Sequence, residues 1–447
     1  MFLSQGGACA VSKNPLEVAL MKPLSRNGTS LFIALSLGTA SLGYPQMQGF
    51  QFFGTPPPSD YAGAVEGPGV DTGGEAPLDL GIFARKPFTI TFSVRQGYDS
   101  NVYTSSDNPQ ASMYTNYAAG ISYQFGTPRL QLSANLGGGL TYYYNRDGEP
   151  YDWNGALTLS STYLATDRLA LSFSTNTAYM SQPDIALQGG GSDIDNGVYF
   201  FTNTSISATY QWTEKFSTVT SYNFSTTFYL DQSVNNDLGY IDQTLSQSFD
   251  WLVLPRTTAV LEYRVNPRTY YTADLDSFGQ FFLVGANQKL NPRLSWNGRV
   301  GIELRDNNNP VDGKSTYIGP YLESNLSYAF GESSSVGWVT RYGTEASGIA
   351  DVTERQTFRT GININHGFTP RLSGNLGGYW LVNYYDQADV IETFYENIFT
   401  LSAGLNFAVN RFVSLSTGYQ YTIDTAPEST GRNYNRSVVF VGANFTF

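Results

Sequence analysis

The chain has 447 residues, of which 14% are charged and 15% aromatic, and its 37 acids outnumber 25 bases for a net charge of -12. Small polar residues rather than aliphatics replace the missing charge, since the mean hydropathy is only -0.24, which excludes both a disordered chain and an ordinary core-forming domain. The acidic balance leaves no basic footprint for nucleic acid, and the single cysteine, Cys9, excludes a disulfide framework or a Cys-rich metal site.

Residues 1–43 read as an export signal. From Met21, "MKPLSRNGTSLFIALSLGTASLG" carries Lys22 and Arg26, an apolar run from Leu31 to Leu37 and small residues up to Gly43, the order expected of a signal peptide. The run is too short to span a bilayer, and Met21 is the expected start. Residues 44–87, with "GTPPPSDYAGAVEGPGVDTGGEAP" at their centre, hold too much Pro and Gly for helix or ladder. They are expected to be an extended periplasmic segment, the alternative being a small plug for a pore formed by the rest of the chain.

From Phe88 to Phe447 the pattern alternates with period two. "FTITFSVRQ" sets Phe88, Ile90, Phe92 and Val94 against Thr89, Thr91, Ser93 and Arg95, and "LSWNGRVGIELR" sets Leu294, Trp296, Val300, Ile302 and Leu304 against Ser295, Asn297, Arg299, Glu303 and Arg305. Segments of about ten residues with this period are long enough to cross a membrane at a tilt. In lipid every backbone group must be satisfied internally, so a spanning β structure has to close into a barrel. A water-soluble sandwich would share the alternation, and the connections separate the two. Short turns, among them "GTPRL", "ATDRL", "TEKF", "NPRL" and "TPRL", take turns with long acidic loops such as "SQPDIALQGGGSDIDNG", "DNNNPVDGKST" and "EASGIADVTER". That is the pattern of a transmembrane up-and-down antiparallel β-barrel with short periplasmic turns and long extracellular loops, here of about 18 strands, within a range of about 16–18. Aromatics cluster at both segment ends, for example Trp212, Trp251, Phe368 and Phe412 near the turns and Tyr142, Phe228, Trp380 and Tyr421 near the loops, as expected of two interfacial belts.

The final strand "SVVFVGANFTF", with Phe445 and Phe447 on the apolar parity, resembles the C-terminal signature of bacterial outer-membrane proteins. The resemblance implies export to the outer membrane of a Gram-negative cell and recognition by the barrel-assembly machinery. "GYDSNVY", Gly97 to Tyr103, is similar to the Tyr-Asp-x-Asn element near the start of porin-2-like β-barrels. That resemblance implies a porin or a polysaccharide-associated channel in contact with outer-membrane lipid and lipopolysaccharide.

No reaction or cofactor is expected. The one histidine, His366, is followed by Gly367 and Phe368 and shares the apolar parity of Ile362 and Ile364, so no nucleophile, base and orienting group come together. Loop acids around Asp193 and Asp195, and around Asp306 and Asp312, are weak calcium candidates, but lack EF-hand spacing. Solvated acidic loops account for them better.

The polar parity of the strands carries Arg95, Arg264, Arg299, Arg305, Arg341 and Arg359, with Glu262, Glu303 and Glu345 nearby. These residues are expected to line the pore. Either the arginines form a basic ladder along one wall or they pair with the glutamates and satisfy a wet interior. A second basic set, Arg129, Arg168, Lys215, Arg256, Arg293, Arg371 and Arg411, lies in the short turns and is expected at the periplasmic headgroup edge. The resulting reading is an outer-membrane channel for passive diffusion of small hydrophilic solutes, with no cofactor and a homo-oligomer as an open option. The alternatives are a barrel component of polysaccharide export and a structural or adhesive surface barrel.

Overall fold

The computed structural model describes residues 88–180, 198–230, 238–308, 316–331, 333–346, 354–386 and 393–447. The signal and the Gly/Pro-rich segment lie outside this set, as do Asp193, Asp195 and Asp312. Eighteen strands follow one another. They are β1 (Phe88–Asp99), β2 (Ser112–Gly126), β3 (Leu130–Tyr143), β4 (Tyr151–Leu164), β5 (Leu169–Met180) and β6 (Tyr199–Thr213). Then come β7 (Phe216–Tyr229), β8 (Tyr240–Leu254), β9 (Thr257–Tyr270), β10 (Ser277–Asn291), β11 (Leu294–Asn307) and β12 (Thr316–Ala329). The last six are β13 (Ser334–Ala346), β14 (Glu354–Thr369), β15 (Leu372–Tyr385), β16 (Phe394–Ala408), β17 (Val413–Thr425) and β18 (Tyr434–Thr446).

Each strand pairs antiparallel with its sequence neighbours, and β1 pairs with both β2 and β18, so the sheet closes. The alternation dictates which face points where. In β1 the apolar Phe88, Ile90 and Phe92 are exposed on the outer surface, whereas Ser93, Arg95 and Asp99 are buried on the inner one. The same inversion of an ordinary soluble protein recurs around much of the barrel, because the outer face meets acyl chains, although the inner face also buries apolar clusters of Phe281, Leu283 and Tyr321 and of Tyr385 and Phe394.

Four of the short turns share one construction. Each runs Thr, then Pro or an acid, then Arg/Lys, then an apolar residue, and the Thr side chain accepts the N–H of the fourth. Thr127 Oγ1 takes Leu130 N at 2.9 Å, Thr166 takes Leu169 N at 2.9 Å, Thr213 takes Phe216 N at 3.1 Å and Thr369 takes Leu372 N at 3.0 Å. Asn410 does the same for Val413 N at 3.0 Å. A short side chain that bonds its own backbone stabilises the turn without help from packing. Register irregularities in four hairpins lie just before such turns, at Gln211/Thr213, Leu252/Leu254, Lys289/Asn291 and Gly367/Thr369.

Several stretches that read as loops are strand ends. β11 continues through Asp306, β13 reaches Ala346 and β14 begins at Glu354, so acids and bases that looked like solvated loop residues stand in the wall. Hydrogen bonding across the sheet outweighs the turn propensity of Asp and Asn there, because each paired residue satisfies backbone groups that lipid would leave bare.

Candidate functional site

The inner wall falls into two parts. Strands β2–β7 carry a single charged residue, Asp152, which receives two hydrogen bonds from Arg146 at 2.6 and 2.8 Å. Otherwise this arc presents hydroxyls and amides that bond across strands: Ser133 to Ser160 at 2.7 Å, Ser172 to Ser207 at 2.7 Å and Thr158 to Asn176 at 3.2 Å.

The arc from β8 to β16 carries most of the charges, and most are paired, the exceptions including Asp250 of β8, which accepts from Ser248. Arg264 is fully buried; its Nε donates to Glu262 at 2.6 Å and its Nη atoms to Glu323 at 2.7 and 3.1 Å. Arg299 donates to the other oxygen of Glu262 at 3.3 Å, and Tyr321 bridges by donating to Glu323 at 2.7 Å. Arg305 reaches Glu303 at 2.9 Å, Ser277 at 3.0 Å and Asn266 at 3.0 Å. Arg268 donates twice to Asp242, at 2.9 and 2.8 Å.

Glu345 is the hub. Arg341 and Arg359 stand directly opposite each other on β13 and β14, a like-charge juxtaposition that destabilises a sheet by itself. The Glu345 carboxylate takes both, at 3.2 Å from Arg341 and 2.6 and 2.7 Å from Arg359, and Arg355 at 3.5 Å. The chain of contacts continues from Arg355 to the Tyr385 hydroxyl at 3.2 Å, then to Glu396, which also accepts from Asn383 at 2.6 Å and Arg432 at 2.6 Å. A hydrogen-bonded ionic lattice thus runs from β8 to β16. Taking charges from water is costly unless the partners and their remaining lone pairs are satisfied; the lattice pairs its charges but leaves the Nε atoms of Arg341, Arg355 and Arg359 without a hydrogen bond among the described residues.

Arg95 stands apart, on β1. It is 6% exposed, lies 5.1 Å from the Phe440 ring, and its Nε and Nη1 have no hydrogen-bond partner among the described residues. The residues predicted from parity therefore divide: Glu262, Arg264, Arg299, Glu303, Arg305, Arg341 and Arg359 meet in the lattice, and Arg95 does not. Asp306 accepts from Thr316 at 2.8 Å, and the described residues contain no cluster of three or more metal-ligating side chains. His366 hydrogen-bonds Ser334 at 2.7 Å, lies parallel to the Phe330 ring and meets Phe368 edge-to-face.

Glu323, Arg268, Arg355, Glu396 and Arg432 are lattice members that sequence reasoning passed over. Parity was available for Arg268, two positions from Asn266 and four from Arg264, but Arg355 and Arg432 lay in stretches read as loops.

At the long-loop end the Tyr-Asp-x-Asn element acquires a structural meaning. Asp99 accepts from Arg436 of β18 at 2.5 and 3.1 Å, across the seam where the first and last strands meet. It also accepts the Asn101 backbone N–H at 3.0 Å, while the Asn101 side chain donates to Ser105 O at 2.9 Å and Asn435 O at 3.3 Å. The segment after β1 thereby folds into the barrel mouth, where Val102 packs with Tyr114, Tyr143, Val438 and Phe440.

The family model described as "Putative beta-barrel porin 2" matches residues 79–447. Among curated proteins none matches significantly. Solved structures similar in fold include Acinetobacter baumannii OccAB3, at 11% identity and a TM-score of 0.42, covering 80% of this chain and 99% of that one. Another is Pseudomonas aeruginosa OpdK, solved with vanillate, at 9% identity and a TM-score of 0.43 over 80% of this chain and 99% of that one. With the family model spanning the whole closed barrel, the chain belongs to the β-barrel porin 2 family, porin-like channels of the bacterial outer membrane.

Proposed function

We propose that the barrel conducts small hydrophilic solutes passively, with little preference for ions of either sign and the best fit for neutral, hydroxyl-bearing molecules. One observation carries this reading: the arginines of the β8–β16 wall are matched to carboxylates, while the facing β2–β7 wall offers hydroxyls and amides. A matched lattice creates weak fields along the lumen, and a hydroxyl wall exchanges hydrogen bonds with a solute at little cost. An 18-strand barrel exceeds the size at which side chains alone fill the interior.

The test is single-channel conductance of residues 44–447 refolded in a planar bilayer with a salt gradient. Discrete open steps with a reversal potential close to zero support the reading, and Arg341→Glu should turn the channel cation-preferring. Strong ion selectivity in the unaltered protein, or a folded barrel that stays silent, overturns it. Silence would favour a barrel gated by export partners.

A further inference from the structure

We propose that the basic residues of the short turns form a collar that binds the phosphates of anionic phospholipids in the periplasmic leaflet. Seven of these turns place Arg129, Arg168, Lys215, Arg256, Arg293, Arg371 and Arg411 at the rim, all exposed. Their backbone is fixed. The carbonyls of Arg129, Arg168, Lys215, Arg256, Arg293 and Arg371 each accept an N–H from the next hairpin, from Leu164, Gln211, Leu252, Lys289, Ala329 and Ala408, at 2.8–2.9 Å. In the turn between β12 and β13 the carbonyl of Ser333 makes the equivalent bond to Gly367, and in the turn before β17 the carbonyl of Phe412, next to Arg411, makes it to Thr446. The side chains extend from this fixed backbone, with Arg411 lying 4.6 Å from the Phe412 ring.

Three observations point to lipid as the occupant. First, outward aromatics flank the same turns: Trp212, Trp251, Phe368, Phe407 and Phe447 are exposed, and rings pair along the rim, Tyr210 with Trp212 at 4.6 Å and Phe216 with Trp251 at 4.7 Å. Amphipathic rings sit at headgroup depth, which sets the cations at the level of the phosphates. Second, the described turns set only Asp167 and Glu214 against the seven cations, and the contact between Arg129 and Asp167 is a loose 3.9 Å between exposed groups. Third, the side chains are long, and guanidinium matches phosphate oxygens bidentately. In the lumen lattice the arginines are matched by carboxylates, whereas the rim has few acids, so the sign of the rim is a local property.

The proposal rests on the outer-membrane placement and not on conduction, so a silent barrel that selects lipid would separate the two. The full chain is reconstituted in nanodiscs of phosphatidylcholine containing one-fifth phosphatidylglycerol, and co-purifying lipid is measured by native mass spectrometry. The unaltered protein should retain phosphatidylglycerol in preference, by about fivefold for each cation engaged, and half-molar salt should erase most of it. Exchanging all seven cations for Gln should abolish the preference while heat-modifiable gel migration shows an intact barrel. Should that variant not fold, two variants of three or four exchanges are expected each to lose part of the preference. An unaltered protein with no preference, or a folded seven-fold variant that keeps it, overturns the proposal. The first of these results would leave the collar to an acidic periplasmic protein.

Discussion

Glu345→Gln is the most informative perturbation of the lattice. The Glu345 carboxylate is 7% exposed and is the shared acceptor of Arg341, Arg355 and Arg359. Its amide counterpart keeps the shape, removes one negative charge, and leaves Arg341 and Arg359 facing each other across the β13–β14 pair. A unit charge acts on a passing ion about 6 Å away with ~0.7 kcal/mol in water, and screening at physiological ionic strength reduces that to ~0.3 kcal/mol. Because the sign reverses between anion and cation, the permeability ratio should move towards anions by ~0.7 kcal/mol, roughly threefold. Reversal potential in a salt gradient reads this directly. Removing one partner from a buried cluster also costs about 3–5 kcal/mol, so Glu345→Gln should unfold in vesicles at lower urea than the unaltered barrel. Glu345→Asp, which retains the charge, controls for folding and should leave the reversal potential in place. A fully folded Glu345→Gln barrel with unchanged ion preference would refute the idea that the lattice sets the field in the lumen.

Other consequences can be tested alongside. Asp99→Asn should weaken the seam between β1 and β18, and a double-mutant cycle with Arg436→Gln should show a coupling above ~1 kcal/mol in urea unfolding; additive effects would mean that the two residues act independently. Gly301 lies opposite Leu283, and a Cβ there would run into the Phe282 carbonyl oxygen. Gly301→Ala should therefore cost about 1–3 kcal/mol by overpacking, visible as a lower urea midpoint, and a midpoint equal to that of the unaltered barrel would disprove the clash. Phe447 exchanges two backbone hydrogen bonds with Ile90, at 2.8 and 3.0 Å. Its deletion should remove about 1–3 kcal/mol of stability but reduce outer-membrane abundance in cells far more. Equal losses in refolding and in cells would assign Phe447 a structural role alone.

The period-two pattern determined which residues share a face, because the side-chain period of a strand has no freedom: one slip moves every apolar residue from lipid to water; the alternation of short turns with long loops is what pointed to a barrel rather than a sandwich. The period-two pattern also set Arg264, Arg299, Arg305, Arg341 and Arg359 on the polar parity of their strands, where the structure finds them in ion pairs. Turn motifs such as Thr127 to Leu130 are equally local, since each stabilises itself through its own backbone. What the sequence left open was whether those arginines stand free or paired, and that depends on strand stagger. Glu345 meets Arg341 within its own strand, but its contacts with Arg355 and Arg359 arise from the register of β14, and Arg264 reaches Glu323 from three strands away. The inward fold of Val102, the bond from Arg436 to Asp99 and the assignment of Arg355 to a wall rather than a loop likewise required residues far apart in sequence. Pairing in a barrel is set by closure, and closure brings together the first and last strands, which no local pattern connects.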